Sequence, residues 1–382
     1  MLNYHKKENI TLLLINMKHL LTLILLFSIL ISTPIIAQNT REDSTKKEKN
    51  LQFIGIPNIA NNKVFGWGGG ANVGAFYKLN KADSISPPSM SFVQGMYFQN
   101  ETWWLALLQE NYFKQDKFRS RILLFTTNVN FQFFTDELLP QLPSTVVPYS
   151  TRTSSIQASF STKIFKDAFL GPIYTYGKNN FSFDNDALNK LLELRNIGDF
   201  TTSGIGLTFD YDSRDNIFST SKGMYLNLYS LSYFDAIGSD ADFTGLYGEY
   251  SYFYSIKKNM ILASKANAAT LFGDVPFVEE NVMGFGGTRF QDLRGYNKGQ
   301  FRGNQIYMVQ AELRWRFYKN WGANFYYGMG TVFTAGQNVP FLPAGGVGLR
   351  YKASKQYNIN VGIDAAWGKD DNGIYFLIGE AF

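Results

Sequence analysis

The chain has 382 residues, of which 45% are hydrophobic, 16% aromatic and only 18% charged, with a formal net charge of +5. Because a typical soluble domain is about 25% charged, this composition favours many strands with aromatic rings at an interface over a soluble helical protein. The small, scattered positive charge argues against binding to nucleic acid, and the absence of cysteine excludes disulfides and thiol chemistry.

The N-terminal segment contains the only two histidines, His5 and His19. From Met17 the sequence MKHLLTLILLFSILISTPIIAQ places a short basic region before an apolar run that ends in a small residue. This order is typical of a secretory signal peptide, which we predict over residues 1–37. Residues 1–16 have the character of an upstream start, so Met17 is the alternative first residue of this peptide. Its removal would leave no histidine, so we expect no enzyme, metal site or cofactor. A retained membrane anchor over residues 20–37 is the alternative.

The predicted cleavage site lies after Ala37, so the mature protein should begin at Gln38. Mass spectrometry of the N-terminal peptide of the purified protein checks this. A mature chain that still carried residues 20–36 would show instead that the apolar run is an anchor. Residues 38–50 are predicted to form a short polar linker ahead of the first strand.

Residues 51–382 alternate between apolar and polar side chains almost without interruption. In IYMVQAELRWRF, for example, Val309 and Leu313 share one face while Gln310 and Glu312 share the other. Such a period of two is typical of a strand between lipid and water, and also of a half-buried strand in a soluble sandwich. The predicted strands cover residues 51–59, 64–79, 90–98, 102–114, 117–133, 151–165, 168–183, 200–212, 221–234, 242–256, 259–273, 304–318, 321–334, 342–353, 356–367 and 373–382.

The lengths of the connections decide between these two classes of protein. Even-numbered strands lead into their successors through short turns such as KQDK at 114–117, whereas odd-numbered connections such as 134–150 and 274–303 are long. Short turns on one rim and long loops on the other are characteristic of a transmembrane barrel, with the short turns in the periplasm. We therefore predict an all-β fold, a transmembrane antiparallel β-barrel of about 16 strands over residues 51–382. Residues 186–197 carry a helical period and are predicted to form a helix on the barrel rim.

Two stretches resemble the signatures of a known family. TFDYDSRDNIFSTSKGMYLNLYSL at residues 208–231 and GGTRFQDLRGYNKGQFRGN at residues 286–304 are similar to motifs of the bacterial surface antigen superfamily of outer-membrane barrels. The first falls on a periplasmic turn and the second on a long outer loop, so the resemblance covers essentially the whole predicted barrel. It implies a protein of the bacterial outer membrane, related to the barrel of the central subunit of the β-barrel assembly machinery.

The resemblance also implies a site inside the barrel. In this family the long outer loop folds back into the lumen, and the arginine of its Arg-Gly-aromatic tip pairs with acids on the inner wall. The matching tip here is Arg294, Gly295 and Tyr296. Alternation places Glu312 and Asp364 on the lumenal faces of their strands, so we expect Arg294 to pair with one or both. A solvated basic loop is the alternative.

The periplasmic motif matches the family at Asp212, Arg214, Asp215 and Asn216. The resemblance implies a structural turn, in which the carboxylates accept hydrogen bonds from the arginine and from nearby backbone donors. We assign no chemistry to it.

The chain departs from the family pattern at two positions. Gly328 stands where an inward-facing acid is usual, and Glu380 stands where an apolar residue is typical. The terminal Phe382 fits the family's C-terminal strand signal. On the strand over 356–367, alternation places Ile359 outward, towards lipid.

The predicted function follows from the resemblance and from the seam where the first and last strands meet. Residues 38–50 are too few for even a small domain of about 40 residues, so we expect a barrel without the family's periplasmic polypeptide-transport-associated domains. Such a barrel would assist outer-membrane protein insertion or assembly, with outer-membrane or periplasmic assembly proteins as partners. Because Pro57 cannot donate to a ladder, the closing pair should be weak and leave edges that a client strand could use.

A passive pore or a structural outer-membrane barrel is the alternative function. In either case the barrel contacts outer-membrane lipids and no nucleic acid, and its oligomeric state, including a homo-oligomer, stays open.

Overall fold

The computed structural model describes residues 51–62, 65–134, 146–184, 186, 189–190, 199–276, 279–284, 293–296, 301–334, 337–338, 341–369 and 371–382. The predicted signal peptide and linker, with the cleavage site before Gln38, lie outside these residues. Three residues of the predicted rim helix, Asp186, Asn189 and Lys190, are helical, and the rest of that segment also lies outside the described part. Within the described ranges, no helix is long and apolar enough to cross a bilayer.

Sixteen antiparallel strands form the wall of a nearly closed barrel, which confirms the predicted fold class. The first eleven are β1 Leu51–Asn62, β2 Gly66–Tyr77, β3 Ser89–Phe98, β4 Trp103–Phe113, β5 Phe118–Phe134, β6 Val146–Phe165, β7 Ala168–Phe183, β8 Asp199–Asp212, β9 Gly223–Tyr233, β10 Phe243–Lys257 and β11 Met260–Gly273. Three short strands in the outer connections are β12 Asn281–Met283, β13 Phe301–Gly303 and β16 Gln337–Asn338. The wall is completed by β14 Gln305–Tyr318, β15 Trp321–Thr334, β17 Leu342–Ser354, β18 Ile359–Trp367 and β19 Asn372–Ile378.

Each wall strand pairs antiparallel with the next along the chain. The ladders run from β1–β2 through β9–β10 and β11–β14 to β18–β19. The hairpin of β12 and β13 stands apart from this wall as a two-stranded sheet of its own. Strands β1 and β19 lie side by side, but within the described residues no ladder register joins them.

The two faces of the wall differ as the alternation predicts. On β14, Val309 and Trp315 are exposed to the outside, whereas Gln310, Glu312 and Arg314 are buried within the barrel. Tyrosine, leucine, phenylalanine and isoleucine side chains are exposed around the rest of the outer wall. An apolar outer face and a polar inner face suit a barrel that lies in lipid and encloses a polar lumen.

Arginine at a lipid-facing position should therefore destabilise the barrel far more than arginine in the lumen. Leu313→Arg, near the middle of β14, should cost about 2–4 kcal/mol in the free energy of unfolding. Gln157→Arg is the matched control, because Gln157 lines a lumenal cavity beside Glu110. Urea unfolding in lipid vesicles measures both, and equal losses would mean that the faces are assigned wrongly.

Several strand bounds shift, as in β6, which begins at Val146 and not at residue 151, and two differences change where side chains lie. The strand predicted over 373–382 ends at Ile378, and Gly379, at φ 93°, turns the remaining residues away from the wall. Ile359 does not face lipid but is fully buried, in a cluster with Ile54 and Phe76. Asn358 before it has φ 57°, and the β17–β18 register slips at this end, so alternation counted from the strand interior does not extend to Ile359.

Candidate functional site

The outer loop between β11 and β14 places Arg294 inside the barrel. Its side chain is only 1% exposed, and its guanidinium lies 3.6 Å from the ring centroid of Tyr326. The Nη2 group donates to Glu312 Oε2 at 2.7 Å, and the Nη1 group donates to Asp364 Oδ2. One guanidinium thus joins β14 to β18 through the loop tip, as its planar fork of donors allows.

Two glycines on neighbouring strands make room for this ion pair. A Cβ atom on Gly348 would lie 2.0 Å from Asp364 Oδ1, and one on Gly362 would lie 2.6 Å from the Arg350 side chain. The buried carboxylate and guanidinium therefore occupy space that side chains would otherwise fill.

The residues after Arg294 attach the loop tip to the outer half of the wall. Gly295 has φ 105°, and a Cβ there would lie 2.8 Å from Gly368 N, so both the backbone conformation and the close approach require glycine. The Tyr296 hydroxyl donates to the carbonyl of Pro343 at 2.6 Å and accepts from the backbone of Lys369 at 3.1 Å. Tyr296 also belongs to an apolar cluster with Met283, Leu293, Ile306, Met308, Val332 and Leu342.

Further charges extend the cluster towards the periplasm. Arg350 bonds both oxygens of Asp364 and donates to Glu380 Oε2 at 2.9 Å. Arg314 donates to Glu312 Oε1 at 2.8 Å. Three guanidiniums and three carboxylates therefore balance in a buried network, which satisfies the requirement that buried charges be paired.

The C-terminal residues take part in this network from inside the lumen. Beyond Gly379, Glu380 accepts from Asn324 Nδ2 at 3.0 Å and from Asn360 Nδ2 at 2.5 Å. The main-chain oxygen of Phe382 accepts from Arg314 at 2.6 Å, and the same guanidinium lies 5.2 Å from the Phe382 ring. We call residues 379–382 the lumenal tail.

The periplasmic motif forms a cross-linked turn between β8 and β9. Asp212 accepts from Arg214 Nε at 2.8 Å and from Arg119 Nη1 at 3.3 Å. Asp215 accepts from the backbone of Ser221 at 2.9 Å, and Asn216 accepts from the backbone of residues 218 and 219. The contacts of Asp215 and Asn216 are local, in the manner expected of such turns, whereas Arg119 ties Asp212 to β5.

This turn also reaches across the barrel to the other side of the wall. The Phe218 ring packs edge-on against Phe76 of β2, with centroids 5.0 Å apart. Asn358 Nδ2, in the turn after β17, donates to the carbonyl of Ser219 at 3.2 Å. The turn therefore contacts the strands that flank the β1–β19 seam, at its periplasmic end.

A second carboxylate joins two other periplasmic turns. Asp83 accepts from Ser86 Oγ at 2.6 Å and from the backbone of Gln115, in the next turn along the rim, at 2.9 Å. The Ser86 hydroxyl in turn accepts from the backbone of Asp116 at 2.7 Å. The hydrogen bond from Ser86, supported by backbone donors, outweighs the effect of burial and holds the pKa of the Asp83 carboxyl below its ordinary value.

The lowered pKa predicts a pH dependence of rim stability. Since the folded pKa lies below the ordinary value of about 3.9, the Asp83 contact stabilises the protein above that value and is lost as the pH falls through the folded pKa. Asp83→Asn should therefore lower the unfolding temperature at pH 7, and its difference from wild type should shrink below about pH 4. Exposed Asp274→Asn is the control, and a difference that grows in acid would contradict the prediction.

The β1–β19 seam is bridged by side chains. Asn72 Nδ2 of β2 donates to the carbonyl of Phe376 in β19 at 3.3 Å. Ser354 Oγ, at the end of β17, donates to Gln52 Oε1 of β1 at 2.6 Å. Every other pair of neighbouring wall strands is joined by a backbone ladder in the described residues.

Among the described residues, a cavity lies in the lumen beside the lumenal tail. It has a volume of about 250 Å³. Its polar lining comes from β4, β5, β8, β10 and β11 and includes Glu110, Arg121, Asp210, Glu249 and Lys265. Described residues of the outer loop, the periplasmic turn and the lumenal tail fill the lumen around this cavity, so they plug the barrel.

A comparison with known families decides the identity of this barrel. The Omp85 superfamily domain matches residues 94–382. This chain belongs to the Omp85 superfamily. Its barrel is therefore an outer-membrane protein, as the two sequence motifs predicted.

Solved structures of Omp85 barrels are similar in fold. BamA from Haemophilus ducreyi lacking POTRA domains 1–3 has a TM-score of 0.56 and 12% identity, over 87% of this chain and 71% of that one. CdiB from Acinetobacter baumannii has a TM-score of 0.56 and 12% identity, over 86% and 60% of the two chains. CdiB from Escherichia coli has a TM-score of 0.57 and 12% identity, over 87% and 63%. This chain thus spans less than two thirds of each CdiB, and no curated protein matches it.

The structure of this Omp85 barrel brings together the loop tip and both acids selected from the sequence. Arg294 contacts Glu312 and Asp364 directly. Gly328 lies opposite Gln310 of β14, where a Cβ would be 2.7 Å from the Gln310 side chain, so no acid fits at that position. The four residues of the periplasmic motif form their own turn, and Asp212 and Arg214 line the same cavity as Glu380 and Phe382.

Arg314, Arg350 and Glu380 are the charged members of the cluster that were not predicted as site residues from the sequence. Alternation around Arg350, between exposed Leu349 and Tyr351, was a usable signal that it faces the lumen. Glu380 was noticed only as a departure from the family pattern, and its buried pairing with Arg350 supplies the physical reason for it.

Proposed function

We propose that this Omp85 barrel assists the insertion or assembly of other outer-membrane proteins by opening the seam between β1 and β19. The observation that carries the proposal is that these adjacent strands have no ladder register between them in the described residues. A strand edge with unpaired backbone groups is a template for another strand, and strand addition is a general way of binding an extended segment.

The difference between the seam and the rest of the wall supports this role. The β5–β6 ladder, for comparison, continues over the full length of β5, from Phe118 to Phe134. Each net backbone hydrogen bond contributes about 1 kcal/mol, so a wall ladder resists opening far more than a few side-chain bridges do. The seam is therefore the place where the wall opens first.

The packed lumen favours insertion over the alternative of a passive pore. The buried network around Arg294 and the lumenal tail bonded to Arg314 both lie across the interior. A barrel built to conduct would gain nothing from closing its lumen with paired charges. The proposal includes no enzymatic step.

Partner proteins complete the proposal. Omp85 family members such as BamA work with other outer-membrane or periplasmic proteins. We infer that this barrel likewise receives client chains from a partner in the periplasm or outer membrane. Affinity purification from native outer membranes, followed by mass spectrometry, identifies such partners, and recovery of the barrel alone would count against them.

A disulfide across the seam tests the mechanism. In the β1–β2 register Ile56 pairs with lumenal Asn72, whose amide reaches the carbonyl of Phe376 in β19. Leu377, the next residue along β19, shares the lumenal side of the wall with Tyr375, which pairs with buried Asp364. The chain has no cysteine, so Ile56→Cys with Leu377→Cys, two positions on the same face, can form only the designed bond. In a strain that lacks the barrel, the oxidised variant should fail to restore the normal set of outer-membrane proteins. After addition of a reductant, the same variant should restore that set.

The control places the same bond within the wall. Ser232 Oγ of β9 and Thr244 Oγ1 of β10 lie 3.2 Å apart, so Ser232→Cys with Thr244→Cys links strands that a ladder already joins. This variant should complement in both redox states. Full complementation by the oxidised seam variant would contradict the proposed opening of the seam. If deletion of the barrel leaves the outer-membrane proteins unchanged, a passive or structural barrel is favoured.

A further inference from the structure

Exposed basic side chains encircle the periplasmic rim of the barrel. All seven short connections, after β2, β4, β6, β8, β10, β14 and β17, carry at least one exposed lysine. With the adjoining strand ends, the set comprises Lys81, Lys114, Lys117, Lys166, Lys222, Lys257, Lys258, Arg316, Lys319 and Lys355. We call these ten residues the periplasmic ring. Its members come from every part of the wall and not from one sequence segment.

The acids of the same rim leave this charge largely uncompensated. Asp83, Asp116 and Asp212 are buried, and Asp167, beside Lys166, is half-buried. The Asp83 carboxylate accepts hydrogen bonds from hydroxyl and backbone donors, whereas Asp116 forms an ion pair with Arg119 and Asp212 with Arg214. Asp215 is exposed, but its carboxylate caps backbone groups of its own turn. The periplasmic ring therefore presents its ammonium groups to the surroundings.

The outer rim has the opposite character in the described part of the chain. Exposed acids on the outer connections and strand ends are Glu101, Asp184, Asp186, Asp199, Asp235, Asp240, Asp242 and Asp274. The exposed basic residues of the described outer connections are Lys190 and Lys369, and Arg152 and Lys178 are exposed in the outer halves of β6 and β7. Within the described residues, exposed acids therefore outnumber exposed bases at the outer end, whereas the periplasmic end is positive.

Aromatic side chains on the outer wall lie directly beside the ring. Exposed rings at this end include Phe165, Tyr254, Phe317, Tyr318, Trp321 and Tyr351. The ammonium groups of Lys114 and Lys117 lie 5.7 and 5.6 Å from the Phe118 ring, and that of Lys319 lies 5.1 Å from Tyr318. Exposed aromatic belts mark the level of lipid headgroups, and long basic side chains extend to that level.

We propose that the periplasmic ring binds the phosphate groups of anionic phospholipids in the periplasmic leaflet. The ring runs around the whole circumference at the aromatic belt, and a lipid annulus contacts that entire line. A soluble acidic protein docked at the mouth would cover only an arc of it. Lysine binds phosphate as a mobile point charge, which suits headgroups that exchange along the rim.

Lipid selectivity in reconstituted vesicles tests the proposal. The full barrel is placed in vesicles with spin-labelled phosphatidylglycerol or phosphatidylcholine, and the motionally restricted fraction of each is measured. A lysine near an anionic surface contributes a factor of about five, so we expect roughly a fivefold preference for phosphatidylglycerol at low salt. The preference should fall steeply at 1 M salt, where the screening length is only about 3 Å.

Matched variants locate the effect. Lys257→Gln with Lys258→Gln should weaken the preference, and adding Lys114→Gln, Lys166→Gln and Lys319→Gln, which removes half of the ring, should weaken it further. The control, Lys190→Gln with Lys369→Gln, removes the same number of exposed charges from the outer rim as the first pair and should keep the wild-type preference. Heat-dependent gel migration shows that each variant is folded, and the salt series on wild type needs no substitution.

Three results would overturn the proposal. The first is an equal motionally restricted fraction of the two lipids with the wild-type barrel, which would favour an acidic protein as the partner of the ring. The second is a wild-type preference in the folded five-lysine variant. The third is loss of the preference in the outer-rim control.

Discussion

Arg294→Ala should raise the single-channel conductance of the barrel and lower its unfolding temperature. The guanidinium is 1% exposed and bonds two carboxylates that are themselves fully buried. Its removal would leave Glu312 and Asp364 with fewer partners, and breaking a buried pair costs about 3–5 kcal/mol. Because the lumen also holds a polar cavity, we expect the lower end of that range.

Planar-bilayer recordings and heat-dependent gel migration measure the two effects. A lysine at position 294 is the conservative control: Arg294→Lys keeps the charge but cannot contact both carboxylates through a planar fork, so it should rescue only part of either property. Unchanged conductance and thermal behaviour in Arg294→Ala would show that the loop does not hold the lumen closed. A large, stable pore in wild type would favour the passive-pore alternative.

Asp364→Asn should destabilise the barrel more than Arg294→Ala. Asp364 accepts from both Arg294 and Arg350 and is 0% exposed. The asparagine keeps the volume of the side chain but leaves the buried cluster with one excess positive charge. We therefore expect the loss in the free energy of unfolding to lie in the upper part of the range of about 3–5 kcal/mol. Exposed Asp274→Asn should change nothing measurable.

A double-mutant cycle separates lost charge from general damage. Arg294→Ala combined with Asp364→Asn should cost less than the sum of the two single changes, because the second removes a partner that the first has already released. Additive losses in urea unfolding would mean that the two residues do not interact. On the sequence alone, exchanging Arg294→Glu with Asp364→Arg should restore part of the lock. The structure predicts failure, since an arginine at position 364 would face Arg350.

The lumenal network shows how far the sequence determines this site. Glu312 and Asp364 could be selected because side-chain direction in a strand is a local property with a period of two. Arg294 could be paired with them because the family motif places the loop tip inside the barrel. The same alternation would have selected Arg350, but one strand in isolation does not show which lumenal charges meet across the barrel.

Non-local features were decided by the tertiary structure. Phe218 and Phe76 meet although 141 residues separate them, and no local pattern indicates that a periplasmic turn crosses the lumen. Ile359 was placed towards lipid by its parity, whereas the turn before it and the slipped register bury it. Such contacts depend on the closure of the whole barrel, which sets the strands that stand opposite one another.

The amino-acid sequence by itself determined the class of fold, the sidedness of its loops and the two faces of its wall, because alternation and turn length act over a few residues. Only the tertiary structure decided where the wall ends. The sequence continues the last strand to Phe382, but Gly379 turns the chain inward and Glu380 meets Arg350 there. A buried carboxylate needs a partner, and the barrel offers one in the lumen and none on the lipid face.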